Sequence, residues 1–319
     1  MATATCSTTR KRSNKKANRE DIYTRVTDAI IRQLEEGVRP WLKPWNAEHA
    51  AGRITRPLRH NEEPYHGINI LMLWASAEDA GFACPIWLTF QQAKQLGGHV
   101  RKGEQGAPVV YASSFTKTEE DESGEDVKRE IPFLKQYTVF NAEQCEGLPE
   151  HFYRLKESPN NDIEAIEAAD NFVKRTQAEV RIGGNQACYV SSGDYIRVPR
   201  IEAFRDAESH ASTLTHELIH WTKHESRLAR DMGRKKWGDE GYAMEELVAE
   251  MGAAFLCADL QLTPEVRADH VDYIGSWLKV LKNDKQAVFT AASLASKAVD
   301  YLHQLQSGLK VASEGDSTV

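Results

Sequence analysis

The feature that most constrains this chain is a pair of histidines, His216 and His220, in the run His-Glu-Leu-Ile-His. Residues four apart lie one turn above each other on the same helical face, so both imidazoles can reach one metal ion. Glu217 points at the same site, where this metallopeptidase pattern uses a glutamate as general base. Apolar residues surround the pair and favour a helix that is half buried against a sheet. They are Leu214, Leu218, Ile219 and Trp221.

A catalytic zinc site needs three protein ligands and one open position, so a third ligand must be found. His224 is near in sequence, but on a continuous helix it would stand about 12 Å along the axis from His216. The metzincin arrangement would need a glycine turn and a histidine six residues after His220. The sequence has Ser226 there, and no glycine intervenes. The third ligand is therefore expected from a second helix.

Apolar residues at helical spacing predict that second helix over residues 242–260. Glu246 is the predicted third ligand, and Glu245 is its rival. Glu250, one turn after Glu246, is predicted to accept the free ring N–H of one histidine. The Glu246 and Glu250 pair resembles the second half of the gluzincin pattern. Tyr242, one turn before Glu246, is a candidate oxyanion donor, with simple packing as the alternative.

In such a site the metal lowers the pKa of its water to about 7, and Glu217 takes the proton as the water attacks a carbonyl. Zinc is the ion expected from the ligand types, and manganese or another divalent transition metal also fits.

Ahead of the metal helix, residues 187–190 and 195–198 are predicted strands with a turn between them. The segment 194–199 is predicted to be the sheet edge to which an extended substrate adds, or only to complete the sheet.

Charge divides the chain unevenly, since residues 1–111 hold 16 Lys and Arg against 11 Asp and Glu. The remainder is acidic, so an anionic partner is expected for the first part only.

We predict the following organisation: a basic disordered tail (1–20), a first domain (21–150) with a mobile acidic loop (119–130), a second domain (151–308) and a disordered tail (309–319). With no membrane-length apolar run, no secretory signal and five scattered cysteines, a cytoplasmic protein is expected.

Aromatic and basic residues alternate in the first domain. The segment 39–45 places two tryptophans among positive charges, and three arginines follow at three-residue spacing. Cations that track phosphates, beside rings on which bases stack, are typical of single-stranded DNA binding. The predicted DNA-binding residues are Trp41, Lys43, Trp45, Arg53, Arg56, Arg59, Tyr65 and Asn69. The alternative is that the tryptophans are core residues and the arginines a solvated loop.

Several further motifs resemble the ArdC-type antirestriction proteins, whose relatives include part of the plasmid primase TraC. They lie at residues 19–23, 40–41, 65–69, 87–90, 97–103, 137–141, 147–149, 216–222 and 245–250. The resemblance spans about residues 19–305. It implies an α+β protein with an N-terminal α/β domain that binds single-stranded DNA, followed by a zincin-like metallopeptidase domain.

The same resemblance implies a conjugative-plasmid protein that protects incoming DNA from host restriction. Two hypotheses follow. In the first, the protein is a zinc-dependent peptidase that acts on a protein substrate bound to DNA. In the second, it only binds single-stranded DNA, and its metal site is structural or vestigial.

Overall fold

The computed structural model describes residues 22–42, 55–120, 126–153, 162–233, 240–264 and 273–308. Helices and strands alternate irregularly through the first part of the chain, and helices dominate the last part. The expected mixed α and β architecture is therefore confirmed.

The N-terminal half is built around a four-stranded sheet. Its elements are α1 (Ile22–Glu35), β1 (Leu58–Arg59), α2 (Ile68–Ala80), β2 (Ile86–Leu88), α3 (Phe90–Gln95), β3 (His99–Val100), β4 (Ala107–Glu120), β5 (Asp126–Asn141) and β6 (Cys145–Glu146). The sheet order is β1-β2-β5-β4, with β1 parallel to β2 and the other pairs antiparallel. Strands β3 and β6 form a separate antiparallel pair.

Local signals in the sequence account for two of these helices. The apolar spacing of α1 puts Ile30 and Leu34 in the core, and the helix ends before Gly37, whose φ of 78° suits glycine. Helix α3 begins with a capping box, since Thr89 accepts a hydrogen bond from Gln92 N and the Gln92 side chain accepts one from Thr89 N.

Strands β4 and β5 form one long hairpin, paired from Ala107 and Val139 out to Glu120 and Asp126. The prediction of a mobile loop is therefore wrong for residues 119–120 and 126–130, which lie in the paired strands. The regular backbone ladder continues through residues whose polar composition suggested a loop. Residues 121–125 of that prediction lie outside the described residues.

The described residues of the C-terminal half form a small sheet and five α-helices. Its elements are α4 (Asp162–Thr176), β7 (Glu179–Ile182), β8 (Cys188–Val190), β9 (Tyr195–Val198), α5 (Ala207–Trp221), α6 (Glu240–Leu260), α7 (Ile274–Asn283) and α8 (Ala287–Gly308). The predicted strands before α5 are confirmed as β8 and β9. The predicted edge is wrong, because β9 lies in the middle of the order β7-β9-β8 and pairs on both sides.

One hydrophobic core joins the two halves. It includes Leu34 of α1, Trp74 of α2 and Phe255 of α6, and the Trp74 and Phe255 rings meet edge to face at 5.8 Å. Helix α1 is also tied to the C-terminal half by polar contacts, since Thr27 Oγ1 donates to Lys285 O at 2.7 Å. The N-terminal half therefore packs directly against α6, the helix that carries the predicted ligand Glu246, and against the segment after α7.

Two predictions from the sequence concern membrane-spanning helices and the state of the cysteines. Within the part of the chain that the structure describes, no helix has the length and apolar character needed to cross a bilayer. Cys84, Cys145, Cys188 and Cys257 are free thiols.

Candidate metal centre

Two closely packed helices, α5 and α6, form the centre. Asp206 begins α5 by accepting a 2.7 Å hydrogen bond from Ser209 N. Gly252 lets the two helices approach, because a Cβ atom there would lie 3.0 Å from three side-chain atoms of Ile219. The small residues of α6 therefore position its carboxylates beside the α5 histidines.

The three predicted ligands converge on one point. His216 Nε2 lies 3.7 Å from Glu246 Oε2, and His220 Nε2 lies 3.5 Å from Glu246 Oε1. The three residues each offer a ligand atom, and these atoms all lie within 4.8 Å of one another. Ligands at tetrahedral positions 2.0–2.2 Å from one zinc ion stand roughly 3.3–3.6 Å apart. The group therefore fits a single small divalent cation.

The charges buried around the ligands also suit a dication. The carboxylates of Glu217, Glu245, Glu246 and Glu250 are all buried, as are the guanidinium groups of Arg39 and Arg230. Among the described residues of this region, buried carboxylates thus outnumber buried guanidinium groups. Buried negative charge is costly without a partner, so the surroundings favour binding of a cation.

The same charges determine the protonation of the ligands. Burial raises the pKa of Glu246, but the imidazoles of His220 and His216 outweigh this effect and hold the pKa well below its ordinary value. Burial lowers the pKa of His220, but the Glu246 and Glu245 carboxylates raise it to about 9. A metal ion must therefore displace a proton from His220 when it binds.

Glu245, the rival ligand in the sequence, holds the outer side of His220 instead. Its Oε1 lies 3.0 Å from His220 Nδ1, which leaves Nε2 facing Glu246. Arg230 binds both Glu245 oxygens at 2.8 Å and also donates to Ile219 O at 3.0 Å. This pair fixes the orientation of the imidazole, as outer carboxylates do in metal sites.

Arg230 was not predicted, because it lies after α5 in a segment without helical or strand periodicity. We expect Arg230→Met to lower the free energy of unfolding of the metal-free protein by about 3–5 kcal/mol, since it leaves the buried Glu245 carboxylate uncompensated. Urea denaturation measures this loss. The control is Arg205→Met, because Arg205 pairs at 2.8 Å with the more exposed Asp206, and such pairs contribute at most about 1 kcal/mol. Equal losses in the two variants would contradict the assignment.

Glu250 lies on the outer side of the other histidine. Its Oε1 stands 3.8 Å from His216 Nδ1, which is an ion-pair distance and longer than a hydrogen bond. Its Oε2 accepts a 3.0 Å hydrogen bond from Trp41 Nε1. Glu250 therefore links a metal ligand to a residue of the N-terminal half.

Comparison with known proteins identifies the chain. Residues 20–140 match the model of the N-terminal domain of the anti-restriction factor ArdC, and residues 167–294 match the model of a zincin-like metallopeptidase. The crystal structure of the metal-free antirestriction protein ArdC from plasmid R388 matches with a TM-score of 0.75 and 42% sequence identity, covering 91% of this chain and 99% of that one. The chain belongs to the ArdC antirestriction family.

Further relatives agree with this assignment. The Mn(II)-bound structure of the R388 ArdC matches with a TM-score of 0.71 and 41% identity over 90% of this chain and 98% of that one. The protein y4eC of Sinorhizobium fredii is 40% identical over 90% of this chain and 93% of its own length. A DNA primase TraC of Escherichia coli is 36% identical over 89% of this chain, which spans only 27% of the primase.

The structure also places His224 and Tyr242, the two other residues considered for this ArdC-family site. Helix α5 ends at Trp221, so the prediction that His224 continues the same helix is wrong, and His224 Nδ1 instead lies 2.8 Å from Ser226 Oγ. Tyr242 lies one turn before Glu246, and its hydroxyl is 2.8 Å from that of Tyr273. Burial raises the pKa of Tyr242, and the Glu246 carboxylate raises it further, so the phenol stays protonated and can donate.

Most of the described residues predicted to bind DNA pack inside the protein. Trp41 is fully buried, and the buried Arg56 pairs with Asp259 at 2.6 Å. Asn69 bonds both backbone groups of Val110 at 2.8 Å. For Trp41 and Arg56 the prediction of a contact surface is wrong, because the fold buries both side chains between the two halves.

The remaining predicted residues are divided between the surface and the parts of the chain that are not described. The Arg59 side chain is 49% exposed, and its guanidinium lies 5.5 Å from the ring centre of the buried Tyr65. Lys43, Trp45 and Arg53 lie outside the described residues. Arg59 is thus the one described member of the set with a largely exposed side chain.

Other aromatic residues of the N-terminal half are exposed instead. Tyr111 of β4 is 53% exposed and Tyr137 of β5 is 46% exposed, with ring centres 6.4 Å apart. Exposed Lys135 pairs across the hairpin with Tyr111. We did not predict these residues from the sequence, where the alternation of side chains along β4 and β5 was the available signal.

Proposed function

We propose that this protein is a metal-dependent, peptidase-like antirestriction protein that binds single-stranded DNA and protects incoming conjugative-plasmid DNA from host restriction. The observation that carries the proposal is the convergence of His216, His220 and Glu246 at one buried point in an ArdC-family chain. The single test is whether a metal-loaded protein lacking the Glu217 carboxylate still protects a transferred plasmid.

The chain's own residues would act as follows. His216, His220 and Glu246 hold a divalent cation, which would supply a Lewis acid that acidifies water and polarises a carbonyl. Glu217, on the same helix as the histidines, accepts the proton from the attacking water. Tyr242 donates a hydrogen bond to the oxygen on which negative charge develops.

The resident metal is proposed from the ligand types. Two imidazoles and one carboxylate suit zinc, and they also accept manganese, cobalt or nickel. The related R388 ArdC has been crystallised with Mn(II). Metal analysis of protein purified without added ions tests this choice, and an absence of any divalent metal that also fails to bind on titration would contradict it.

For DNA binding we propose the face of the β4 and β5 hairpin that carries Tyr111, Tyr137 and Lys135. Two exposed phenol rings beside an ammonium group offer stacking and phosphate attraction together. The excess of basic residues in residues 1–111 supplies further attraction that does not depend on base sequence.

We expect the double change Tyr111→Ala and Tyr137→Ala to weaken binding of a labelled single-stranded oligonucleotide. Stacking contributes about 1–3 kcal/mol per base, so the dissociation constant should rise at least roughly fivefold per ring lost. Fluorescence anisotropy at fixed salt measures this change. Ile182→Ala is the control, because Ile182 is 61% exposed on β7 of the other half. Unchanged binding by the double variant would refute the proposed face.

The second hypothesis keeps DNA binding and drops catalysis. It is favoured by the burial of the ligands, whose side chains are 5%, 8% and 10% exposed for His216, His220 and Glu246. An ion so enclosed could serve structure alone. The two hypotheses differ in whether loss of the Glu217 carboxylate abolishes protection of a transferred plasmid.

A further inference from the structure

A segment of the N-terminal half reaches the metal centre from outside. Trp41 Nε1 donates a 3.0 Å hydrogen bond to Glu250 Oε2, and Arg39 Nη1 lies 3.8 Å from the same oxygen. The other oxygen, Glu250 Oε1, lies 3.8 Å from His216 Nδ1. Glu250 therefore stands between a metal ligand and two side chains that come from the other half of the sequence.

These contacts lie in a water-poor region, where each is stronger than at the surface. Arg39, Trp41 and Glu250 are 7%, 0% and 6% exposed. Among the described residues, Arg39 Nη1 has no hydrogen-bond partner. Its charge therefore acts on Glu250 through space, while the Trp41 N–H supplies the directional contact.

The position of this segment depends on how α1 sits on the C-terminal helices. Lys282 and Lys285, at the end of α7 and just beyond it, pair at 2.6 Å with Glu35 and Asp28 of α1. The Trp41 ring then packs edge to face on Trp277 of α7, with centres 5.5 Å apart. A shift of the N-terminal half against these helices would move the Trp41 N–H relative to Glu250.

We propose that Arg39 and Trp41 are positioning residues for the metal centre, which hold Glu250 against His216 and so couple metal affinity to the placement of the N-terminal half. The inference rests on the metal centre of the proposed function and adds its regulation. Outer-shell partners change metal affinity by about 10–100-fold. Coupling is reciprocal, so metal binding also strengthens the hold on the segment.

The test compares two buried tryptophans that touch each other. Trp41→Phe removes the N–H that binds Glu250, whereas Trp277→Phe removes an N–H that binds the Ala243 carbonyl at 3.1 Å. Both side chains are fully buried, so each change exchanges an indole for a phenyl ring in the same packing region. Calorimetric titration of the metal-free full chain with Mn(II) should show roughly tenfold weaker binding for Trp41→Phe. Trp277→Phe keeps an aromatic ring against Trp41 and leaves the Trp41 N–H in place, so its loss of Mn(II) affinity should be clearly smaller.

A spectroscopic readout separates positioning from a general loss of packing. The visible absorption of the Co(II)-loaded protein reports the ligand field, and it should change more in Trp41→Phe than in Trp277→Phe. Equal losses of affinity in both variants, or wild-type affinity and spectrum in Trp41→Phe, would overturn the inference.

A second variant keeps the inference testable if Trp41→Phe does not fold. Arg39→Met removes the buried positive charge beside Glu250, so the carboxylate is held less firmly against His216 and the visible spectrum of the Co(II)-loaded protein should change. A wild-type spectrum in this variant would overturn the role of Arg39. If the wild-type protein itself binds no Mn(II), the proposed metal centre fails and this inference fails with it. The inference alone fails when wild type binds and the variants bind equally well.

Discussion

Glu217→Gln should retain the metal and single-stranded DNA yet lose catalysis by about 100- to 10,000-fold, the contribution usual for a positioned general base. Glutamine keeps the volume of this buried side chain, so the helix and both histidines should stay in place. The amide cannot accept a proton from water, and only that step should fail. Protection of a transferred plasmid in a restricting host is the measurement, because it reports the proposed function directly.

The matched control for this experiment is Glu202→Gln, an identical change at an exposed glutamate ahead of α5. It should protect the plasmid as wild type does. Mn(II) titration and oligonucleotide binding on both variants show that neither has lost the ion or the DNA. If Glu217→Gln protects fully while holding metal and DNA, the peptidase hypothesis is refuted and the binding hypothesis stands.

The second large effect separates the two adjacent glutamates of α6. Glu246→Ala removes a ligand and should lower Mn(II) affinity more than roughly 100-fold, beyond the effect usual for an outer-shell partner. Ligand at 100 times its dissociation constant stabilises a folded protein by about 2.7 kcal/mol. This gain should be seen for wild type and should be absent for Glu246→Ala at the same Mn(II) concentration.

Glu245→Ala should have the opposite profile. Its side chain binds Arg230 and the outer nitrogen of His220, so its loss leaves a buried guanidinium unpaired and lowers stability by about 3–5 kcal/mol. Mn(II) should still bind and stabilise the folded fraction, with a weaker affinity. Calorimetry and thermal unfolding with and without Mn(II) measure both profiles. If Glu245→Ala abolishes binding and Glu246→Ala does not, the ligand assignment is wrong.

Residue spacing within short segments was enough to predict the metal ligands. The four-residue spacing of His216 and His220 and the acidic residues of α6 were enough to predict which side chains could share an ion. The structure brings His216, His220 and Glu246 within 4.8 Å. Such patterns are visible because a helix repeats its faces every 3.6 residues, and the ligands must lie on the inward face.

The residues on the outer side of His220, Glu245 and Arg230, were harder to predict from the sequence. Adjacent Glu245 and Glu246 differ by about 100° around the helix axis. Which of them meets the ion depends on how α6 is rotated against α5. Arg230 has no periodic pattern at all, because it reaches Glu245 from an irregular segment.

The surface assignments depended most on tertiary structure. Aromatic and basic residues have the same sequence signature whether they stack on bases or fill an interface between two halves. Trp41 and Arg56 turned out to be interface residues, while Tyr111 and Tyr137 face outward. Burial depends on which elements meet, and those contacts join residues more than 200 positions apart, as between Trp41 and Glu250.

The sequence by itself predicted the two helices of the metal centre, the ligand types and the family resemblance, because each depends on spacing within short segments. Tertiary structure alone decided the rotation of α6, the central place of β9 in its sheet and the burial of Trp41 against the metal centre. Local spacing fixes which face of a helix or strand a side chain occupies. What that face meets is fixed by the packing of elements that are distant along the chain.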